Sequence, residues 1–131
     1  MGLFTMEELI WGDDAHPWVA PGNLFTRGPG SYKIPSANDI PCEFNVHLLK
    51  DSLNPYATYS SKAIGEPPLF LGSTVYFAIR NAVESARNDF GLKGTFHFDS
   101  PATTERIRMS CQDRFTQEFV QDANFRVKGS F

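Results

Sequence analysis

The chain has 131 residues and 14.7 kDa, with 41% hydrophobic and 21% charged residues. That is a globular rather than a disordered composition, sized for one domain or part of a larger one. Twelve basic against fifteen acidic residues give a net charge of −3; no basic cluster appears, which argues against nucleic acid or an anionic membrane surface as partner.

The opening MGLFTMEELIWGDD is acidic, and its apolar run is too short for a secretory leader. No run of about 18 apolar residues occurs, so no membrane span is predicted. Cys42 and Cys111 stand in no CxxC spacing and read as reduced intracellular thiols. Thr5-Met6-Glu7-Glu8 fits a capping box, with Thr5 as N-cap, and predicts a short helix to Trp11. Gly12 to Asp39 reads as loop, punctuated by PG, RGPG and IPS. Loops of that length are uncommon in a free-standing domain, so this part is expected to lean on structure outside the chain.

Glu43 to Leu49 alternates, with Phe44, Val46 and Leu48 on one face, and predicts a half-buried strand. A turn follows at Asn54-Pro55. From Pro67 to Asp89, Leu71, Val75, Ala78, Ile79, Ala82, Val83 and Ala86 recur at helical spacing, and Gly91 is a natural stop. This predicts the longest helix of the chain, roughly 33 Å at ~1.5 Å per residue. Thr95 to Phe98 reads as a short strand. Thr103 is the predicted N-cap of a second helix carrying Ile107, Met109, Cys111 and Phe115. The aromatic pairs Tyr76-Phe77 and Phe96/Phe98 read as core, and His47 and His97 as structural strand residues. From 117 to 131 the period is lost and a frayed tail is expected.

Within SSKAIGEPPLFLG, Ser60 to Gly72, one carboxylate stands between a glycine and two prolines. Two readings stay open. In the first, Glu66 is helix-start chemistry: Pro67 and Pro68 suit a first helical turn, and the helix dipole favours an acid there by roughly 0.3–1 kcal/mol. In the second, Glu66 is a positioned general base. Pro67 restricts its backbone, Gly65 lets a partner approach the main chain, and a long helix anchors the turn. Its proton affinity does not follow, because the helix end lowers it and burial raises it. Asp13, Asp14 and His16 form a DDxH loop without a second ligand cluster, which reads as turn chemistry rather than a metal site. No metal-ligand set, P-loop, GxGxxG or GxSxG is found.

Several stretches together resemble one family. SSKAIGEPPLFLG is similar to the SKAVGEPPLFL motif of xanthine dehydrogenases. LFTRGPGSYKIPSANDIPCEFNVHLLK, Leu24 to Lys50, is similar to the family's TRGPGTYKIP…NDIP…FNVSLLK, and SPATTERIRMSCQDRF, Ser100 to Phe115, to SPATPERIRMACxDxF. The segment TMEELIWGD also has a counterpart. The resemblance runs to about Phe119.

It implies that residues 1–131 correspond to the C-terminal portion of a molybdenum-cofactor-binding region in a much longer, homodimeric enzyme. The implied fold is α+β: two main helices on short strands, with a loop-rich first third. Glu66 matches the family's active-site base, taking a proton from a hydroxyl at a molybdenum centre while a purine carbon is hydroxylated. Electrons then leave through [2Fe–2S] clusters and FAD to NAD. Lys62, Ala63, Ile64 and Gly65 would line the molybdopterin side through backbone. The cluster cysteines, flavin segment and glycine-rich cofactor loop of the family do not occur here, so the isolated chain is expected to be inactive and metal-free; with the apolar surface that would pack on the rest of the region left bare, it is expected to be marginal or aggregation-prone. The implied location is the cytoplasm, with the peroxisome as the alternative.

Departures are few. Ile64 replaces the commoner valine, and Thr104 stands where proline is usual. Aldehyde oxidases more often carry GES where this chain has GEPP, which favours the purine branch. The competing readings are an aldehyde-oxidase-type branch and a non-catalytic remnant or small interaction protein; the intact Gly65-Glu66-Pro67-Pro68 speaks against decay.

Overall fold

The computed structural model describes residues 1–64 and 66–117. Three α-helices occur in this range: α1 at Gly2–Thr5, α2 at Glu66–Asp89 and α3 at Thr104–Ser110. Two 3₁₀ turns lie at Ala37–Asp39 and Thr58–Ser60. Among the described residues the one β pairing is an antiparallel bridge between Trp11 and Leu24. The fold is therefore mostly helical, and the short strands of the α+β expectation do not form.

Helix α2 matches the apolar period that predicts it. Its 24 residues begin one position earlier than expected. Its end is chemically defined: Gly91 lies at φ 75°, its N–H donates to the Asn88 carbonyl at 2.9 Å, and Leu92 N–H reaches the Arg87 carbonyl at 3.0 Å. This Schellman arrangement satisfies two terminal carbonyls through a left-handed residue that only glycine adopts without strain.

Helix α3 starts as predicted. Thr103 Oγ1 accepts the Arg106 backbone N–H at 3.3 Å, and Thr103 is almost fully buried. Replacing Thr103 with alanine is expected to cost about 1 kcal/mol in urea unfolding, with serine restoring most of it.

The first helix departs from the prediction. It spans Gly2–Thr5 rather than starting at Thr5. Thr5 Oγ1 donates back to the Met1 carbonyl at 3.1 Å, so the hydroxyl is not free to cap a later turn. Glu8 is drawn instead to Arg106, with Nη2–Oε1 at 2.5 Å, and the capping box never closes. A capping box does form at Ser36–Asp39, where the Ser36 N–H and hydroxyl reach Asp39 Oδ2 at 2.7 and 2.9 Å. These bonds, backbone first, hold the Asp39 carboxyl below the usual range.

The segment from Gly12 onward is loop, as read, but not unsupported. Phe25 N–H donates to the Ile10 carbonyl at 2.8 Å, Gly12 N–H to Asn23 at 2.9 Å and Gly22 N–H to Gly12 at 3.0 Å. Gly12 permits this close return: an added Cβ would stand 2.0 Å from the Ala20 carbonyl oxygen. The Ile10 N–H, meanwhile, is taken by Thr26 Oγ1 at 3.1 Å. Asp13 Oδ1 accepts the backbone N–H groups of Ala15 and His16 at 2.9 Å and contacts His16 Nδ1 at 2.8 Å. The DDxH stretch is turn chemistry, as read, and its His16 contact is the leading cause of a lowered Asp13 carboxyl.

The buried apolar centre is small. Ile10, Val83 and Ala102 join the N-terminal segment, α2 and the approach to α3. The Ala102 N–H donates to the Phe4 carbonyl at 2.7 Å, which fixes α1 against that approach. Phe4 also lies 3.5 Å from where a Gly72 Cβ would stand, so α1 packs on α2 there.

Neither predicted strand forms. Phe44, Val46 and Leu48 are 70%, 66% and 86% exposed, so the strand from Glu43 to Leu49 has neither partner nor cover here. Residues 95–98 belong to no strand. His47 and His97 are accordingly exposed loop residues, and His97 Nε2 meets Asp99 Oδ1 at 2.7 Å. Phe96 and Phe98 instead pack sideways on α2. Tyr76 stacks on Phe98 at 5.3 Å and donates its hydroxyl to the Phe98 carbonyl. The Arg80 and Arg87 guanidiniums lie 4.9 and 4.8 Å from the Phe96 ring centre. Phe77, expected in the core, is exposed. The tail prediction from 118 onward lies outside the described residues.

Candidate functional site

The approach to Glu66 is built by a short, self-bonded loop. Ser52 to Ser61 closes on itself through Asn54. Asn54 Oδ1 accepts the Tyr56 N–H at 3.3 Å, its carbonyl accepts the Ala57 N–H at 3.3 Å, and its Nδ2 donates to the Ser61 carbonyl at 3.1 Å. One side chain thus ties both ends of the loop, as predicted for a turn at Asn54-Pro55.

Two consecutive non-glycine residues in this loop are left-handed: Tyr59 at φ 52° and Ser60 at φ 57°. Each costs about 1–2 kcal/mol relative to ordinary backbone. Such outliers concentrate where a chain positions chemistry. The strain sits immediately before the segment of interest.

Ser61 then returns to extended backbone, φ −61° and ψ 140°. Lys62, Ala63 and Ile64 follow, all exposed. Lys62 Nζ donates to Ser52 Oγ at 2.7 Å, which directs that ammonium back onto the loop. Residues 62–64 are therefore exposed beside a braced loop. Glu66 is the first residue of α2. Gly65 lies outside the described residues, and so does the Glu66 side chain. The helix that starts at Glu66 exposes its first turns: Leu69, Phe70 and Leu71 are all solvent-facing. Its anchoring comes from further along, through Val83 in the buried centre.

Among the described residues no three His, Cys, Asp or Glu side chains converge as a metal site would require. Cys42 and Cys111 are free thiols. The Cys111 sulfhydryl points at the Ile107 carbonyl, 3.3 Å away. No described helix is long and apolar enough to cross a membrane. What this part of the chain can offer a cofactor is the exposed stretch 62–64 and the residue that opens α2.

No local pattern signals the long-range pairings that join the N-terminal segment, α2 and α3. Arg106 bridges Glu8 and the Pro101 carbonyl, the latter through Nη1 at 2.7 Å. Tyr32 donates its hydroxyl to Glu7 Oε2 at 2.8 Å, the main cause of a raised Tyr32 proton affinity. Arg87 Nη1 reaches the Ser110 carbonyl at 2.8 Å and clamps α2 to α3. Glu8 and Arg106 are 98 residues apart, and no local pattern marks contacts of that range.

No family model matches the chain. Curated relatives do. The chain is 60% identical over 120 residues to xanthine dehydrogenase of Oryza sativa subsp. japonica, covering 92% of this chain and 9% of that protein. It is 56% identical over 117 residues to xanthine dehydrogenase/oxidase of Gallus gallus, with 89% and 8% covered. It is 54% identical over 119 residues to xanthine dehydrogenase of Dictyostelium discoideum, with 91% and 8% covered. The chain thus spans less than a tenth of the length of the relatives it matches.

Proposed function

We infer, from the premise that this chain belongs to the xanthine dehydrogenase family, that it is one segment of a much longer purine-oxidising polypeptide and supplies that enzyme's general base, Glu66. The observation that carries the reading is identity of 54–60% across about nine-tenths of the chain to proteins named xanthine dehydrogenase from a plant and a slime mould. The GEPP motif and the braced loop before it support the choice of residue.

In this reading a molybdenum–molybdopterin cofactor, held mainly by the rest of the polypeptide, supplies oxygen transfer and accepts the substrate's electrons. The parts contributed here are positional. Lys62, Ala63, Ile64 and Gly65 line the cofactor side in this reading. Glu66 accepts a proton as the purine is hydroxylated, from hypoxanthine to xanthine to urate. Pro67 limits the backbone freedom of Glu66, and the Asn54 and Lys62 hydrogen bonds hold the approach. A displacement of about 1 Å at such a base costs on the order of a hundredfold in rate; that is the physical reason to brace an acid this way. FAD, two [2Fe–2S] clusters and NAD belong to the remainder of the enzyme, which we place in the cytoplasm as a homodimer. The isolated chain is inactive and binds no cofactor.

The test is the denatured mass of the native protein detected through this segment, with molybdenum measured on the same sample. A chain several-fold larger than 14.7 kDa carrying molybdenum is the expected result. A chain of only that mass, free of metal, overturns the reading and makes GEPP an inherited helix start.

A further inference from the structure

We propose that residues 43–49 are a β-strand whose sheet lies in the remainder of the longer polypeptide, and that this segment docks by edge pairing rather than by side-chain packing alone. The proposal rests on the reading that such a polypeptide exists.

Three observations converge. The sequence alternates Phe44, Val46, Leu48 against Glu43, Asn45, His47, the two-residue period of a strand with one covered and one wet face. All ten residues from 41 to 50 are exposed, including the row that such a strand would bury. Among the described residues, no backbone N–H or C=O group of 41–50 has a hydrogen-bond partner. Backbone groups in folded proteins are almost always paired, and ten exposed residues without a backbone partner, alternating in polarity from 43 to 48, hold the free N–H and C=O groups that an edge strand presents. Pro41 stands just before the run and no proline interrupts 42–49, so every N–H of 43–49 can join a ladder. At ~3.3 Å per residue the strand would be about 23 Å long. A single wet face favours antiparallel pairing.

The occupant is the rest of the polypeptide rather than a second copy of this chain. Two copies would offer each other only a two-stranded ribbon, which is marginal in water. Among the described residues neither copy holds a core able to cover the apolar row, since the buried apolar set there is Ile10, Val83 and Ala102. The relatives, by contrast, hold more than nine-tenths of their length outside the matched region.

Deuterium exchange of peptides spanning 41–50 tests this in the intact longer polypeptide, with the 131-residue chain as reference. Exchange at 43–49 is expected to be at least ~100-fold slower in the longer polypeptide. Val46→Asp is expected to lower its melting temperature by several degrees, while His47→Asp on the opposite face leaves it within a degree. Equal exchange in both proteins overturns the proposal while leaving the functional reading intact. So does slowing in the 131-residue chain that grows with concentration, which would identify a second copy. Equal sensitivity at Val46 and His47 removes the face assignment and the strand with it. Absence of any polypeptide longer than this chain defeats the functional reading and this proposal together.

Discussion

Glu66→Gln in the full polypeptide is expected to lower kcat by on the order of 10²–10⁴, the usual contribution of a positioned general base, while molybdenum content and protein yield stay at wild-type levels. Glutamine keeps the size of the side chain and an acceptor oxygen but cannot take a proton. If Glu66 served only the helix end, the loss would be a few tenths of a kcal/mol of stability with turnover intact. The two readings that composition leaves open therefore separate on one variant. Glu66→Asp adds a second discrimination. It keeps the carboxylate and the charge but withdraws it by roughly one carbon, so partial activity is expected, lowered by about a hundredfold through misplacement. The acid limb of the pH–rate profile should persist in the aspartate variant and vanish in the glutamine variant. Wild-type turnover in Glu66→Gln would place the base elsewhere.

The same variant bears on why the preceding loop is strained. Tyr59 and Ser60 both sit at positive φ although neither is glycine, asparagine or aspartate, the residues that tolerate it. That conformation follows the Asn54 turn and precedes the return to extended backbone at Ser61. A chain with no use for a defined entry to α2 gains nothing from holding two such residues, whereas one that must deliver an acid to a fixed point does.

Legibility in the sequence followed the range of the interactions. Helix α2 was readable because seven apolar positions repeat along one element, and its end because a left-handed C′ position is a local demand that Gly91 meets. Thr103 was readable for the same reason: its cap bond spans only three residues. The strand from Glu43 to Leu49 has the right period, but a strand is completed by a neighbour, and among the described residues none is present. Helix α1 was misplaced because Thr5 and Glu8 carry a local signal that a distant residue overrides. Glu66 was readable as an acid at a helix start; its assignment as a base came through the resemblance of GEPP and its flanks, since spacing alone serves both roles equally.

Arg106→Met is expected to be the most damaging single change to stability among the described residues, costing about 3 kcal/mol. Glu8 is only 8% exposed and Arg106 26% at the side chain. Removing the guanidinium leaves a buried carboxylate uncompensated, which typically costs about 3–5 kcal/mol; the partial exposure of Arg106 puts this case at the low end. The Pro101 carbonyl loses its donor as well. With a urea slope of roughly 1–3 kcal/mol per M, the midpoint should fall by about 1–3 M. Glu8→Leu alone should cost less, because arginine can turn toward solvent and only one Glu8 oxygen is engaged: Oε2 is buried without a partner. Glu8→Leu combined with Arg106→Met should recover most of the loss, since an apolar pair of similar volume replaces the ion pair without its desolvation penalty. That recovery is the distinguishing result. Additive losses would mean that the two side chains act through separate contacts rather than as a latch between the N-terminal segment and α3. Glu105 supplies a second readout. Its carboxyl is held above the usual range first by burial and second by the Glu8 charge. A raised carboxyl stabilises the fold at low pH, and this contribution is lost as pH rises through its folded pKa. Glu8→Leu should therefore lower the Glu105 pKa and flatten that part of the stability profile, an effect that loss of packing at Glu8 alone would not produce.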